Sequence, residues 1–162
     1  EPLLAPILAG RNCGIISEAG LPGVADPGAD VVAVAQSKGI EIVPLVGPSS
    51  ILLALMASGQ NGQSFAFNGY LPIKPADRAK AIKNFERRAM QEGQSQIFIE
   101  APYRNDKLFA DFLTTLAPAV RLTVAVDITS PTQVIRTLPV AEWRRAPKPE
   151  MHKKPTIFII GK

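Results

Sequence analysis

Short apolar runs rich in β-branched residues alternate along this sequence with stretches of helical period. That alternation restricts the chain to an α/β fold, in which strands and helices share layered cores. Residues 14–17 read as a short strand, followed by a glycine-bearing loop over residues 18–25. Asp26-Pro27 then supplies an N-cap and a first-turn proline for a helix that ends at Gly39. Residues 40–45 form a β-branched, buried-type strand, residues 46–50 a turn, and residues 51–58 a helix apolar on all sides that should be buried and close at Gly59. The polar segment 60–63, with Asn-Gly at its centre, marks the boundary between two lobes.

Beyond it, strands are expected at residues 64–69, 96–100, 121–127, 132–138 and 155–160, and helices at 77–92, 105–116 and 140–145. The first 60 residues hold only two convincing strands, too few for a sheet that buries its helices, and they open on an apolar helical stretch at residues 3–8. A lobe lacking its N-terminal part is the expectation.

The chain has 162 residues, 46% of them hydrophobic, which supplies an ordinary globular core. No apolar run reaches the roughly 18 residues of a membrane span and no signal-peptide pattern opens the sequence, so a soluble, cytoplasmic protein without a membrane partner is expected. Cys13 is alone and reads as a small buried residue; with only His152 beside it no zinc set is visible, and no metal is expected. The net charge is +4, collected at residues 78–88 and 144–154. This suits an anionic partner such as RNA and equally suits solvated helix faces, since no aromatic-interleaved basic motif accompanies the runs.

Two loops, residues 18–24 and 46–50, follow apolar strands at the edge where open α/β sheets bind ligands. Glycine lets the backbone approach a ligand closely, and N–H groups at a helix start hold acceptors. Each loop alone is equally a simple chain reversal. Neither contains G-x-G-x-x-G or G-x-x-x-x-G-K-[ST], and no serine stands in a G-x-S-x-G elbow.

Read as strings, these loops carry a resemblance. Ile16-Ser17-Glu18-Ala19-Gly20-Leu21-Pro22-Gly23-Val24-Ala25-Asp26-Pro27-Gly28 resembles the "SDAGTPLISDPG" motif of the tetrapyrrole methylase superfamily, the class III methyltransferases. Pro44-Leu45-Val46-Gly47-Pro48-Ser49-Ser50 is similar to "PLPGPSA", the segment 67–72 to "F-x-G-F-L-P", and Glu100-Ala101-Pro102-Tyr103-Arg104 to "EAPHR". The last three are strings of the branch that 2′-O-methylates a cytidine of 16S ribosomal RNA.

The resemblance implies two α/β lobes with S-adenosylmethionine between them, usually as a homodimer. Residues 1–60 would be the C-terminal portion of the first lobe, and residues 61–162 a second lobe with a mixed sheet of about five strands. It implies that Ala19, Gly20, Leu21 and Val24 contact the methionine part of the cofactor and that Ser49 and Ser50 hold it from the next loop. Ala101, Ile128 and Thr129 would line the adenosine side, with Pro155 and Thr156 nearby. Glu100, Asp127 and Glu18 are candidates to take a proton from the acceptor, and Arg104 to hold a phosphate or orient a carboxylate. A strand-end pair with Arg104 is the plain alternative for Glu100, and a capping or surface role for Asp127 and Glu18.

Some positions depart from the pattern. Asp127-Ile128-Thr129-Ser130-Pro131-Thr132-Gln133 replaces the "T-K-x-x-E-E"-like string of the RNA-methylating branch and is closer to the Thr-Thr-Pro type of porphyrin methylases. Glu18 replaces an aspartate, and Leu21 and Gly23 alter the loop. Three functions therefore stay open: a ribosomal RNA 2′-O-methyltransferase, a methyltransferase acting on a tetrapyrrole or other small molecule, and a non-catalytic binding remnant of the fold. The superfamily's first cofactor loop, resembling "P-T-P-I-G-N", has no counterpart in this sequence. The 162-residue chain by itself is thus expected to bind S-adenosylmethionine weakly or not at all; titration calorimetry giving micromolar or tighter affinity would contradict this.

Overall fold

The computed structural model describes residues 5–162. The chain divides into two compact units, one ending at Ser49 and one spanning Ser50–Lys162.

The second unit is built on a five-stranded mixed sheet of order β1-β2-β5-β3-β4, formed by β1 (Phe65–Phe67), β2 (Ser95–Ile99), β3 (Arg121–Val126), β4 (Val134–Pro139) and β5 (Thr156–Gly161). β1 and β2 run parallel and every other pairing is antiparallel. Strands alternate their side chains between two faces, and here both faces are apolar. Phe98, Leu122, Val124, Phe158 and Ile160 point into one core, covered by α4 (Pro75–Glu92), α5 (Asn105–Thr115) and α6 (Val140–Trp143). Ile97, Ala125, Ile157 and Ile159 point into the other, covered by α3 (Ser50–Ser58). A strand that must be apolar on both faces reads as a continuous apolar run, which is why β2, β3 and β5 stand out in the sequence.

The helices start and stop for local reasons. Pro75 opens α4 and Gly93, at φ 65°, closes it in the left-handed conformation. Arg144 caps the end of α5 by donating from Nε and Nη2 to the Leu113 carbonyl, at 3.0 and 2.8 Å. The Trp143 indole is buried and donates to the Leu122 carbonyl at 2.7 Å, pinning α6 to the sheet. The Phe98, Phe112 and Phe158 rings pack in a row with centroids 5.7 and 5.6 Å apart.

In the first unit, α1 (Ala5–Leu8) is a single turn and α2 (Ala29–Ser37) a regular helix. Leu3 and Leu4 of the apolar opening stretch lie outside the described residues. Residues 14–17 and 40–45 are not strands: no backbone ladder joins them to each other or to another described segment. A strand exists only through its neighbour's hydrogen bonds. Lacking one, Ile15, Ile16, Val43 and Leu45 are exposed. An apolar hollow of about 830 Å³ opens beside them, lined also by Leu21 and Val24. Asp26-Pro27 does not start α2; Gly28, at φ 134°, interrupts the helical path and α2 begins at Ala29. Cys13 is exposed rather than buried, because it sits in the same uncovered segment.

One further expectation changes on the second unit. The helix over residues 51–58 is buried on one face only: Ile51, Ala54 and Leu55 meet the sheet, whereas Leu52 and Met56 are exposed. That sheet contact groups α3 with the compact unit that begins at Ser50.

Arg78 opens the basic run that suits either an anionic partner or a solvated helix face, but it is 1% exposed. Its Nε donates to Pro72 O at 2.7 Å, Nη2 to Ile73 O at 3.0 Å and Nη1 to Asp111 Oδ2 at 2.7 Å. This fork holds the connection from β1 onto α5. Arg78→Ala strands three acceptors and is expected to lower unfolding stability by about 2–3 kcal/mol, with Arg78→Lys in between because an ammonium cannot reproduce the fork. Urea midpoints within error of the parent for Arg78→Ala would contradict that role.

Candidate functional site

The candidate residues fall into two groups, one in each unit. In the first unit the two glycine loops meet. Gly47 approaches the Leu21 side chain so closely that a Cβ at position 47 would lie 2.9 Å from Leu21 Cδ2, which excludes any larger residue there without displacement. The loop of residues 17–24 is held by its own bonds: Ser17 Oγ donates to Ala19 O at 2.9 Å, Ala19 N–H donates back to Ser17 Oγ, and Val24 N–H donates to Leu21 O at 3.2 Å. Gly23 N–H donates to Pro27 O.

The N–H groups of Ala19 and Val24 are therefore committed. Those of Gly20 and Leu21 have no partner among the described residues, and Gly20, at φ 71°, has open space where a side chain would stand. Two unspent donors at an uncrowded glycine suit a carboxylate such as that of a methionine moiety. Glu18 and Val24 are exposed, Ser49 is buried at the end of this unit, and Ser50 is exposed at the start of α3.

In the second unit, one edge of the sheet gathers Glu100, Ala101, Arg104, Asp127, Ile128, Thr129, Pro155 and Thr156. The cause is topological: β1, β2 and β3 end at this edge, and β5, antiparallel to β2 and β3, begins there. Ile99 N–H donates to Gly69 O at 3.0 Å and Asp127 N–H to Pro155 O at 2.8 Å, so neighbouring strand ends are tied together past the ladder.

Glu100 is buried, and its Oε1 accepts three hydrogen bonds: from Ala101 N–H at 2.8 Å, Arg104 Nε at 3.0 Å and Arg104 Nη2 at 2.7 Å. Its Oε2 is buried with no partner among the described residues. The bond from Glu100 raises the Arg104 guanidinium above its ordinary value, so that charge is permanent. The pair shapes the tight turn Pro102–Arg104 that leads into α5. Asp127 accepts from Thr132 Oγ1 at 2.5 Å, and the hydroxyls of Thr132 and Ser130 hold its carboxyl below the usual carboxylate range. A carboxylate stabilised in this way is a poor proton acceptor near neutral pH.

Sequence reasoning missed Asn105. It reads there as the start of a helix, but its fully buried side chain turns away from that role. Asn105 Nδ2 donates to Met151 O at 3.2 Å, Lys154 O at 2.7 Å and Thr156 Oγ1 at 3.1 Å. It ties the loop of residues 151–155 and the start of β5 to the turn after β2. Thr156 Oγ1, which also donates to Lys154 O, is spent on this anchor, so the Thr156 side chain is structural and only its backbone faces the edge.

The edge is strained. Asp127 at φ 53° and Thr129 at φ 71° both occupy the left-handed region, which a β-branched threonine enters at a cost. Bonds from Thr129 N–H to Gln133 Oε1 at 3.0 Å and from Ser130 N–H to Asp127 O at 3.1 Å hold them there. Ile128, between them, packs on the core under α3.

Two bacterial relatives align over most of this sequence. A ribosomal RNA small subunit methyltransferase I of Synechocystis is 35% identical over 80% of the chain and 45% of its own length. One of Pseudomonas aeruginosa is 33% identical over 98% of the chain and 56% of its own length. Among solved structures, the methyltransferase CobJ superposes with a TM-score of 0.64 at 21% identity, covering 98% of this chain and 68% of CobJ. Over the stretch they share the chain is similar to these methyltransferases, and its strings resemble those of the tetrapyrrole methylase superfamily. Its fold is that of the class III methyltransferases. It spans about half the length of the curated relatives it matches. No protein-family model matches it. Of the four strings that carry the resemblance, "EAPYR" is the one whose side chains the structure explains most fully, through the Glu100–Arg104 pair.

Replacing Thr129 by glycine removes the left-handed strain while keeping the N–H bond to Gln133. Thr129→Gly is expected to gain about 0.5–1 kcal/mol of stability, the strain released exceeding the added freedom of the unfolded chain. A urea midpoint lower than the parent's would contradict strain at this edge.

Proposed function

We propose that this chain is part of an S-adenosylmethionine-dependent methyltransferase that acts on a ribose 2′-hydroxyl of small-subunit ribosomal RNA, as a cytoplasmic homodimer. The observation that carries the reading is the pair of relatives named ribosomal RNA small subunit methyltransferase I, 33–35% identical over 80–98% of this chain. Among the described residues no helix is long and apolar enough to cross a membrane.

S-adenosylmethionine, when bound, supplies an activated methyl group on a sulfonium. The chain's contribution is alignment, from which most of the rate of such a transfer derives. Gly20 and Leu21 offer backbone donors suited to the methionine carboxylate. Ala101, Ile128 and Thr129 with the backbone of residues 155–156 line the adenosine. Ser49 and Ser50 act from the second glycine loop.

Glu100 keeps Arg104 aimed and Arg104 keeps its charge, which suits an RNA phosphate. Asp127, held as a weak base, orients the acceptor hydroxyl by accepting its hydrogen bond and leaves the proton to solvent. With S-adenosylmethionine bound, its methyl would pass to the ribose oxygen and the O–H proton would leave to water.

The second reading, a small-molecule acceptor such as a tetrapyrrole, draws on the Thr129-Ser130-Pro131 turn and on the CobJ-like fold. Deleting the gene for this protein separates the two. The first reading expects one ribose methylation to vanish from 16S ribosomal RNA, scored by mass spectrometry of nuclease fragments. Retention of every ribose methyl would defeat it.

A further inference from the structure

The sequence shows no aromatic interleaved with its basic runs, but the fold assembles such an arrangement from three separate segments. Tyr70 follows β1 and Tyr103 follows β2, and both are exposed, at 61% and 63%. Arg104 lies over the Tyr103 ring, its Cζ 5.3 Å from the centroid, and the Ile99 N–H bond to Gly69 O, at 3.0 Å, holds the residue before Tyr70 against the end of β2. Lys153 N–H donates to Pro102 O at 3.2 Å, which brings the 151–155 loop against this turn.

The charges around the patch are not equally free. Arg104 is balanced by Glu100, and Lys148 and His152 both face Asp106, at 2.5 and 3.4 Å. Lys153 and Lys154 are in no ion pair among the described residues, although Lys154 acts on the Asp127 charge. The surface thus presents two open aromatic rings, a guanidinium already stacked on one of them, and two ammonium groups with charge to spare. Asn105 fixes the lysine loop in place, so little ordering is left for binding to cost.

We propose that Tyr70, Tyr103 and Arg104, flanked by Lys153 and Lys154, form a platform for single-stranded RNA beside the Glu100–Asp127 edge, where unpaired bases stack and the lysines neutralise adjacent phosphates. Exposed rings next to unpaired cations are what unstacked RNA recognises, because every base has a face to stack and every linkage a charge. A duplex hides its base faces and gains only from the lysines. The inference rests on the reading of this chain as an RNA methyltransferase and adds to it where, and in what form, the RNA is held.

The test is fluorescence anisotropy with the whole chain and a short labelled single-stranded RNA, with a duplex of the same sequence as competitor, over a series of salt concentrations. The single strand is expected to bind more tightly than the duplex. Tyr103→Ala should weaken it about tenfold, Tyr70→Ala by a smaller factor, and Tyr103→Phe hardly at all. Lys153→Ala with Lys154→Ala should lower the salt slope by about 1.4, roughly 0.7 for each phosphate of a single strand that the lysines no longer neutralise.

Absence of RNA binding by the parent chain, or single-strand affinity unchanged in Tyr103→Ala, overturns the proposal. So does equal binding of duplex and single strand. The outcome is separable from that of the methylation reading. Tyrosine-dependent binding with all 16S ribose methyls retained in the deletion strain keeps the platform and removes the enzymatic reading. A missing methyl with tyrosine-independent binding does the reverse.

Discussion

Everything that gives the second unit its chemistry depends on where β5 sits. The strand enters the sheet between β2 and β3 and is buried along its whole length. Its first residues therefore arrive at the edge where β2 and β3 end. If β5 paired one residue out of register, Ile157 and Ile159 would exchange faces with Phe158 and Ile160, and both cores would lose their fit. The apolar requirement on both faces thus fixes to the residue where Pro155 and Thr156 stand beside Asp127, and Asn105 secures the same loop from the α5 side.

The edge so formed combines rigidity with strain. Glu100 is saturated on one oxygen by its own turn, and Asp127 is held ionised by the hydroxyls of Ser130 and Thr132. Neither is arranged to shuttle protons. A reaction that needs alignment more than acid–base help is consistent with that arrangement, and methyl transfer from a sulfonium is such a reaction. The left-handed turn at Asp127 and Thr129 stands where the sequence departs from the RNA-methylating pattern.

The strands of the second unit were legible because β2, β3 and β5 must be apolar on both faces, and they read that way. The gathering of Glu100, Arg104, Asp127 and Thr156 at one edge was legible only through resemblance to a family, since residues so distant in sequence meet through topology. Asn105 stayed hidden because an asparagine at a helix start reads as a cap. The burial of Arg78 did too, because nothing local separates a forked internal arginine from a solvated one. In the first unit, residues 14–17 and 40–45 have the composition of strands but not the neighbours, and pairing is a property of two segments at once.

The most direct measurement is a crystal structure of the gene product with S-adenosylhomocysteine bound. The account predicts that the ligand lies against Ala101, Ile128 and the backbone of Thr156. A ligand that makes no contact with the ends of β2 and β3 would contradict it.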